Sequence, residues 1–176
     1  MKPFDTSLPM ILYRTLDAVM PVFRAIFARF GLTEQQWRVL RVLWERDGRP
    51  LLALAEATLI QAPSLVGVVD RLQRDGLVRR RRSRHDRRVV RICLTGRGRN
   101  LESQVIPLVD AAYSHLERAV TGGEWATLLA TLEKIAVHAA AANGEVRTGS
   151  GTDPGAGSGT GSGTGFPFET GAVAGT

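Results

Sequence analysis

A mainly α-helical fold carrying one small β-hairpin is predicted for this 176-residue chain by three observations. Apolar residues recur every three or four positions through long segments near both ends, the period of amphipathic helices. Two short helical stretches meet at the turn Thr58-Leu59-Ile60-Gln61-Ala62. Directly after them, apolar β-branched residues flank a run of arginines that reads as two strands and a tip.

The first helix is expected from Ser7 to Phe30, with an apolar face of Leu8, Ile11, Leu12, Leu16, Val19, Met20, Phe23, Ile26, Phe27 and Phe30. Ser7 suits the N-cap and Pro9 the first turn; Pro21 removes an amide donor and is expected to kink or split the helix, which Gly31 ends. Thr33 to Gln36 form a capping box, opening a second helix to about Arg46. Its core stripe is Trp37, Leu40, Leu43 and Trp44, while Glu34, Arg38, Arg41 and Glu45 share another face at ion-pair spacing. Asp47-Gly48-Arg49-Pro50 closes it.

The short helices run from Leu51 to about Ala57 and from Pro63 to Asp75, the second stopping at Gly76. Leu65, Val68, Val69 and Leu72 form its buried stripe, leaving Ser64, Val66, Gly67, Asp70, Arg71 and Arg74 outward. The strands are Leu77-Val78 with the arginines after it and Val89 to Leu94, joined at a tip from Ser83 to Arg87. A hairpin directly after a short helix pair is a wing, so the segment reads as a winged helix-turn-helix. Thr95 caps a long helix to roughly Val120, interrupted at Pro107. Thr121 to Glu124 repeat the capping box before a last helix with Trp125, Leu128, Leu129, Leu132 and Ile135 on one face. Beyond Asn143 the composition changes: residues 144–176 hold eleven glycines, and the tract GSGTGSGTG offers too little apolar surface to order itself. Phe166-Pro167-Phe168 is the one apolar spot there, so the tail reads as a passive linker, with a short docking motif as the alternative.

Charge is the first functional signal. The chain carries +6, yet the eight arginines between Arg79 and Arg91, set against Asp86 alone, supply +7, so one short segment holds the whole basic excess. That is the footprint of a phosphate-binding element. Only Lys2 and Lys134 among the 23 basic residues are lysines, so nearly every cation is a planar guanidinium able to grip phosphate or guanine with two donors.

Several function classes are excluded by what is missing. No apolar stretch approaches the roughly 18 residues of a membrane span, and Met1 to Asp5 lack a signal peptide's regions, so a cytoplasmic protein is expected. His85, His115 and His138 are scattered, and no metal site or cofactor is expected. No nucleophile triad, phosphate loop or paired carboxylates point to an enzyme. The single Cys93 lies between Ile92 and Leu94, where a small buried residue is the ordinary reading and a redox sensor the alternative. The basic run contains no aromatic on which a nucleotide base could stack, which argues against an RNA binder.

A helix pair followed by a basic hairpin suits duplex DNA, since the major groove admits one α-helix and hairpin arginines then reach the backbone or minor groove. Ser64, Val66, Gly67 and Arg71 are the candidates for base contact, with Gln61 at the start of the same helix. Arg82, Arg84, His85 and Arg87 are the candidates in the wing, while Asp86 and Arg88 are expected to hold the tip's shape as an ion pair. Among Arg79 to Arg82, alternation lets at most half face DNA, and the sequence leaves open which half.

The run from Pro63 to Leu72, with Gly76-Leu77-Val78, Asp86-Arg87-Arg88 and Leu94-Thr95-Gly96-Arg97-Gly98, resembles the MarR family of regulators over residues 7 to about 142. Ser7 to Met10 and Leu32 to Arg41 further resemble the branch regulating homoprotocatechuate (4-hydroxyphenylacetate) degradation, from which the Gly-rich tail departs. The resemblance implies a homodimer whose first, fifth and sixth helices interlock and which binds a pseudo-palindromic operator. It implies a repressor released by a small aromatic acid held between the dimer helices and the winged region; the alternative is a MarR-type regulator answering to another signal. Independently, the first and last helices carry more apolar surface than one chain can cover, which points to a partner copy. For the effector, Arg14, Arg38 and Arg41 offer carboxylate partners, Trp37 a ring to stack on, and Ser7 a nearby hydroxyl. The expected organisation is therefore residues 1–32 as a dimerisation helix, 33–94 as the DNA-binding region, 95–143 as C-terminal dimerisation helices and 144–176 as a disordered tail.

Overall fold

The computed structural model describes residues 3–82 and 89–148, with backbone alone over 143–148. After a short 3-10 turn (Phe4–Thr6) come α1 (Leu8–Ala28), α2 (Glu34–Glu45), β1 (Arg49–Pro50), α3 (Leu51–Thr58) and α4 (Ala62–Arg74). β2 (Val78–Arg82), β3 (Val90–Leu94), α5 (Gly96–Glu117) and α6 (Gly122–Thr148) follow. Residues Met1–Trp125 form one compact unit, and α6 from Ala126 onward belongs to a second.

Both interior prolines sit within unbroken helices, contrary to the expected kink at Pro21 and interruption at Pro107. Each lies on an exposed face, where water can satisfy the carbonyl that the missing amide leaves free. Buried neighbours hold the axis on either side of Pro107, namely Val105 and Val109. Ser7 is the N-cap of α1 by position only: its hydroxyl donates to the Phe4 carbonyl at 2.7 Å instead of accepting from the helix.

The capping box of α2 forms as its sequence requires, with the Thr33 hydroxyl accepting from the Gln36 amide and the Gln36 side chain accepting from the Thr33 amide. The buried stripe of α2 is Gln36, Val39, Leu40 and Leu43; Trp37 and Trp44 are only half-buried, which corrects the expected stripe. Gln36 is buried because its remaining amide group donates to Asp75, across the interface with α4. Trp44 stays at the edge because its indole N–H must reach a polar partner, the Gly98 carbonyl at 2.9 Å.

Leu65, Val68, Val69 and Leu72 of α4 are fully buried, as their spacing requires. They pack in one cluster with Phe23 and Phe27 of α1, Leu54 of α3, Val78, Ile92 and Leu94 of the sheet, and Val105 and Val109 of α5. The sheet is antiparallel in the order β1-β3-β2, with Val78 opposite Leu94 and Arg82 opposite Val90. β1 has only two residues, too few to show a period in sequence, and it pairs with Ile92 and Arg91 of β3. Asp47 ties this corner together: one oxygen accepts from the Gly48 and Leu94 amides at 2.8 Å, the other from Arg99 at 3.2 Å.

The junction between hairpin and α5 is tight. The Thr95 hydroxyl accepts from the Gly98 amide and donates to the Gly76 carbonyl, capping α5 against the start of the wing. α5 ends at Glu117, earlier than the apolar pattern suggested. α6 runs to Thr148, five residues past Asn143, where the composition change had set its end. Its apolar residues Leu128, Leu129 and Ile135 are exposed. The N-terminal half of α1 is likewise uncovered at Leu8, Ile11, Leu12 and Leu16, whereas its C-terminal half is anchored by Phe23 and Phe27.

The second capping box also forms, and it carries a pH dependence. The Glu124 carboxylate accepts from the Thr121 amide and hydroxyl, both at 2.8 Å, and these bonds hold its pKa below the ordinary 4.5. Because the folded value is depressed, the box stabilises α6 above the unfolded pKa and loses that contribution as pH falls through the folded one. Carboxyl-carbon NMR should therefore place the Glu124 midpoint below 4.5, and Thr121→Ala should raise it. An unaltered midpoint in the variant would show that the Thr121 hydroxyl does not hold the carboxylate in solution, leaving the backbone amide as its cap.

Candidate nucleic-acid interface

α3 and α4 are bent by 106° across a three-residue turn, Leu59 to Gln61, within the range of a helix-turn-helix. Leu59 makes the turn by adopting φ 54°, the only positive φ of a non-glycine among the described residues, and its side chain is 87% exposed. A large apolar side chain held in a left-handed conformation and left in water is a local concession to the turn. Gln61 sits at the N-cap of α4 without a side-chain cap hydrogen bond. The first amides of α4 thus have no capping side chain, and with the helix dipole they make this end attractive to phosphate.

The outward face of α4 presents Ser64, Val66 and Arg71 in the open, with Gly67 half-buried beneath them. A Cβ at Gly67 would lie 3.6 Å from the Arg71 guanidinium, so that side chain folds back along the helix over the glycine. Gln61 and Ser64 also line a cleft of about 340 Å³ with Glu34, Gln35, Arg38, Leu59 and Ile60. The candidate base-contact residues therefore occupy one continuous surface.

The hairpin settles which arginines share a face. Val78, Arg80 and Arg82 alternate onto the side that looks at α4, since Val78 is buried there and Arg80 reaches Asp70 and Gln73. Arg79 and Arg81 take the opposite side, Arg81 directly across from Arg91. Arg91 in turn donates to the Gly48 carbonyl at 2.9 Å. Arg84, His85 and Arg87, and the Asp86–Arg88 pair expected to shape the tip, lie outside the described residues.

The residues expected at an effector site do not converge within one chain. Trp37 stacks on Phe27 with ring centroids 4.7 Å apart and meets Trp44 edge-on at 5.4 Å. Arg41, one turn further along α2, pairs with Glu45 at 2.9 Å. Arg38 pairs with Glu34 and donates to the Thr58 carbonyl at 3.4 Å, beside the α4 cleft. Arg14 donates to the Asp5 carbonyl at 3.2 Å near the start of α1. It precedes Phe27 by thirteen residues, about 20 Å of helix at 1.5 Å per residue, and Ser7 is further still. One aromatic escaped the sequence reading: Tyr113 of α5 packs on Phe23 at 4.9 Å while remaining 46% exposed. Its position depends on how α5 crosses α1, for which local sequence holds no signal.

The MarR family model matches residues 32–90, the span from α2 to the start of β3. The homoprotocatechuate degradative operon repressor of Escherichia coli is 37% identical over 129 residues, covering 73% of this chain and 87% of that protein. A crystal structure of NadR in complex with 4-hydroxyphenylacetate superposes with a TM-score of 0.68 at 31% identity, over 77% of this chain and 98% of that one. The transcriptional repressor CouR bound to a 23-mer DNA duplex superposes with a TM-score of 0.70 at 29% identity, again over 77% and 98%. Fold, helix-pair geometry and sequence agree, and the chain belongs to the MarR family.

Proposed function

We propose that this protein is a homodimeric transcriptional repressor that binds a pseudo-palindromic DNA operator and leaves it when a small aromatic acid binds, without chemistry of its own. The observation that carries the reading is the α3–α4 pair bent by 106°, its exposed α4 face lying beside the arginine-bearing side of the hairpin. CouR, a structural relative, was solved on a DNA duplex, which supports the same partner here. The exposed apolar positions of α1 and of α6 are the surfaces a second copy would cover. Acting on DNA, the protein works in the cytoplasm. Selection from random duplexes should enrich two inverted half-sites with centres about 10 base pairs apart, or a multiple of that, as two-fold symmetry requires. Enrichment of a single unrepeated site, or of none, would refute it.

The effector reading rests on the relatives, one a repressor of homoprotocatechuate degradation and one solved with 4-hydroxyphenylacetate. In this chain the ring would lie against Trp37 and Tyr113 and the carboxylate on Arg38 or Arg41, with Ser7 and Arg14 contributed by the second copy. Release requires that the acid bind the DNA-incompetent form more tightly than the bound one. A panel of phenolic acids titrated into the protein–operator complex should contain a member that shifts the binding curve, and Arg14→Ala or Arg38→Ala should weaken its effect. If no member acts, the aromatic-acid assignment fails and DNA binding stands; if release is indifferent to both arginines, they are surface cations.

A further inference from the structure

Arg80 lies on the inner face of β2, and its Nη1 donates to Asp70 Oδ1 at 2.7 Å and to Gln73 Oε1 at 3.0 Å. The two acceptors stand three residues apart on one side of α4, so a single guanidinium spans a turn of that helix. Arg82, two residues further along the same face, makes no ion pair among the described residues. We propose that Arg80 is a positioning residue for operator recognition: it fixes the direction of the wing relative to α4 and touches no DNA itself.

Three features support this. A two-stranded hairpin is marginal alone, and the supporting strand β1 reaches only Arg91 and Ile92 of β3, never β2. Among the described residues of β2, Val78 is buried in the core cluster that includes α4, and Arg80, one alternation outward, bonds directly to α4. An acid at Asp70 on a face meant to approach phosphates is otherwise unfavourable, since it repels them. Its pairing with Arg80 removes that repulsion and converts it into an anchor.

The pair is exposed, with side chains 34% and 57% accessible, so its loss should barely alter folding. That makes the sign of the effect on DNA binding diagnostic. A mere surface acid, once neutralised, would tighten binding to every duplex. A positioning acid, once neutralised, should weaken binding to the operator alone.

The proposal rests on the DNA-binding reading, and its test uses fluorescence anisotropy of Asp70→Asn, Arg80→Gln and the double variant on the selected operator and on a scrambled duplex, across a salt series. Each single variant should lose about tenfold in operator affinity, with the double variant losing no more, as coupled residues do. Salt slopes should remain those of the parent protein. Tighter binding of Asp70→Asn to both duplexes would overturn the proposal, as would a flattened salt slope for Arg80→Gln, which would make Arg80 a phosphate contact. Failure of the parent protein to bind any duplex would overturn the DNA-binding reading with it; normal parent binding beside an additive double variant would overturn the positioning role alone.

Discussion

Gly98→Ala should destabilise the protein by about 3 kcal/mol or more, at or beyond the upper end of overpacking substitutions. A Cβ at this position would lie 2.1 Å from the Leu77 carbonyl oxygen and 3.1 Å from its carbon, and backbone cannot rotate aside as a side chain can. Both partners are already committed. The Gly98 amide donates to Thr95, its carbonyl accepts from Trp44, and the Leu77 carbonyl accepts from the Thr95 amide. To admit one methyl group, the first turn of α5 must leave the base of the wing, breaking that set of bonds at once. Gly96→Ala is the control two residues earlier, where an added Cβ meets nothing within 4 Å. It should be neutral or stabilising by up to about 1 kcal/mol, because alanine gives up less backbone freedom. Thermal unfolding of the two variants measures the difference; equal melting temperatures would show that α5 is not packed this closely in solution.

Operator affinity should fall by about 10³ to 10⁵ between 50 and 200 mM salt, the range expected for six to ten neutralised phosphates. The motive is the concentration of positive charge: eight arginines and one acid lie between positions 79 and 91, while the remaining chain is nearly neutral. Of the two arginines on the α4 side of β2, Arg80 is already paired, whereas Arg82 makes no ion pair among the described residues. Arg82→Ala should therefore flatten the logarithmic salt slope by about 0.9 for each wing that loses a phosphate contact. Arg84→Ala should do the same if the tip also meets the backbone, and both should weaken all duplexes by a similar factor. By contrast, Ser64→Ala or Arg71→Ala should alter preference at particular operator positions, by about 1 to 3 kcal/mol per lost base contact. A complex indifferent to salt would remove the wing from the interface.

Legibility in the sequence followed the length and periodicity of each signal. The four buried residues of α4 were readable because a helix stripe repeats within thirteen residues and Gly76 stops it. Both capping boxes were readable because the chemistry is local, three residues apart. The prolines misled because their effect depends on whether the freed carbonyl faces water, which a linear sequence does not record. Trp37 and Trp44 misled because a large indole with a polar edge ends at the margin of a core more often than inside it. The division of the arginine run needed the strand register, which became clear only when Val78 was seen facing inward and Arg80 reaching α4. Arg14 was offered beside Trp37 because its helix was expected to pack nearby, and Ser7 with it, but the thirteen residues from Arg14 to Phe27 keep that arginine about three and a half helical turns away within one chain, and Ser7 further.

The ring contacts have a spectroscopic consequence. Trp37 and Trp44 face each other at 5.4 Å and 68°, with Phe27 stacked behind one and the Gly98 carbonyl holding the other by its indole N–H. Two indoles so close and so inclined share their excited states, and the coupled transitions give circular dichroism bands of opposite sign that neither ring produces alone. The third tryptophan, Trp125, stands apart from this pair in sequence and opens α6. The pair sits on α2 and touches α1 and α5 through its partners, so its optical signature reports the junction where α1 and α5 meet α2. An unlabelled protein thus carries its own gauge of that junction, and Trp37→Phe should abolish the split band while leaving the Trp125 signal in place.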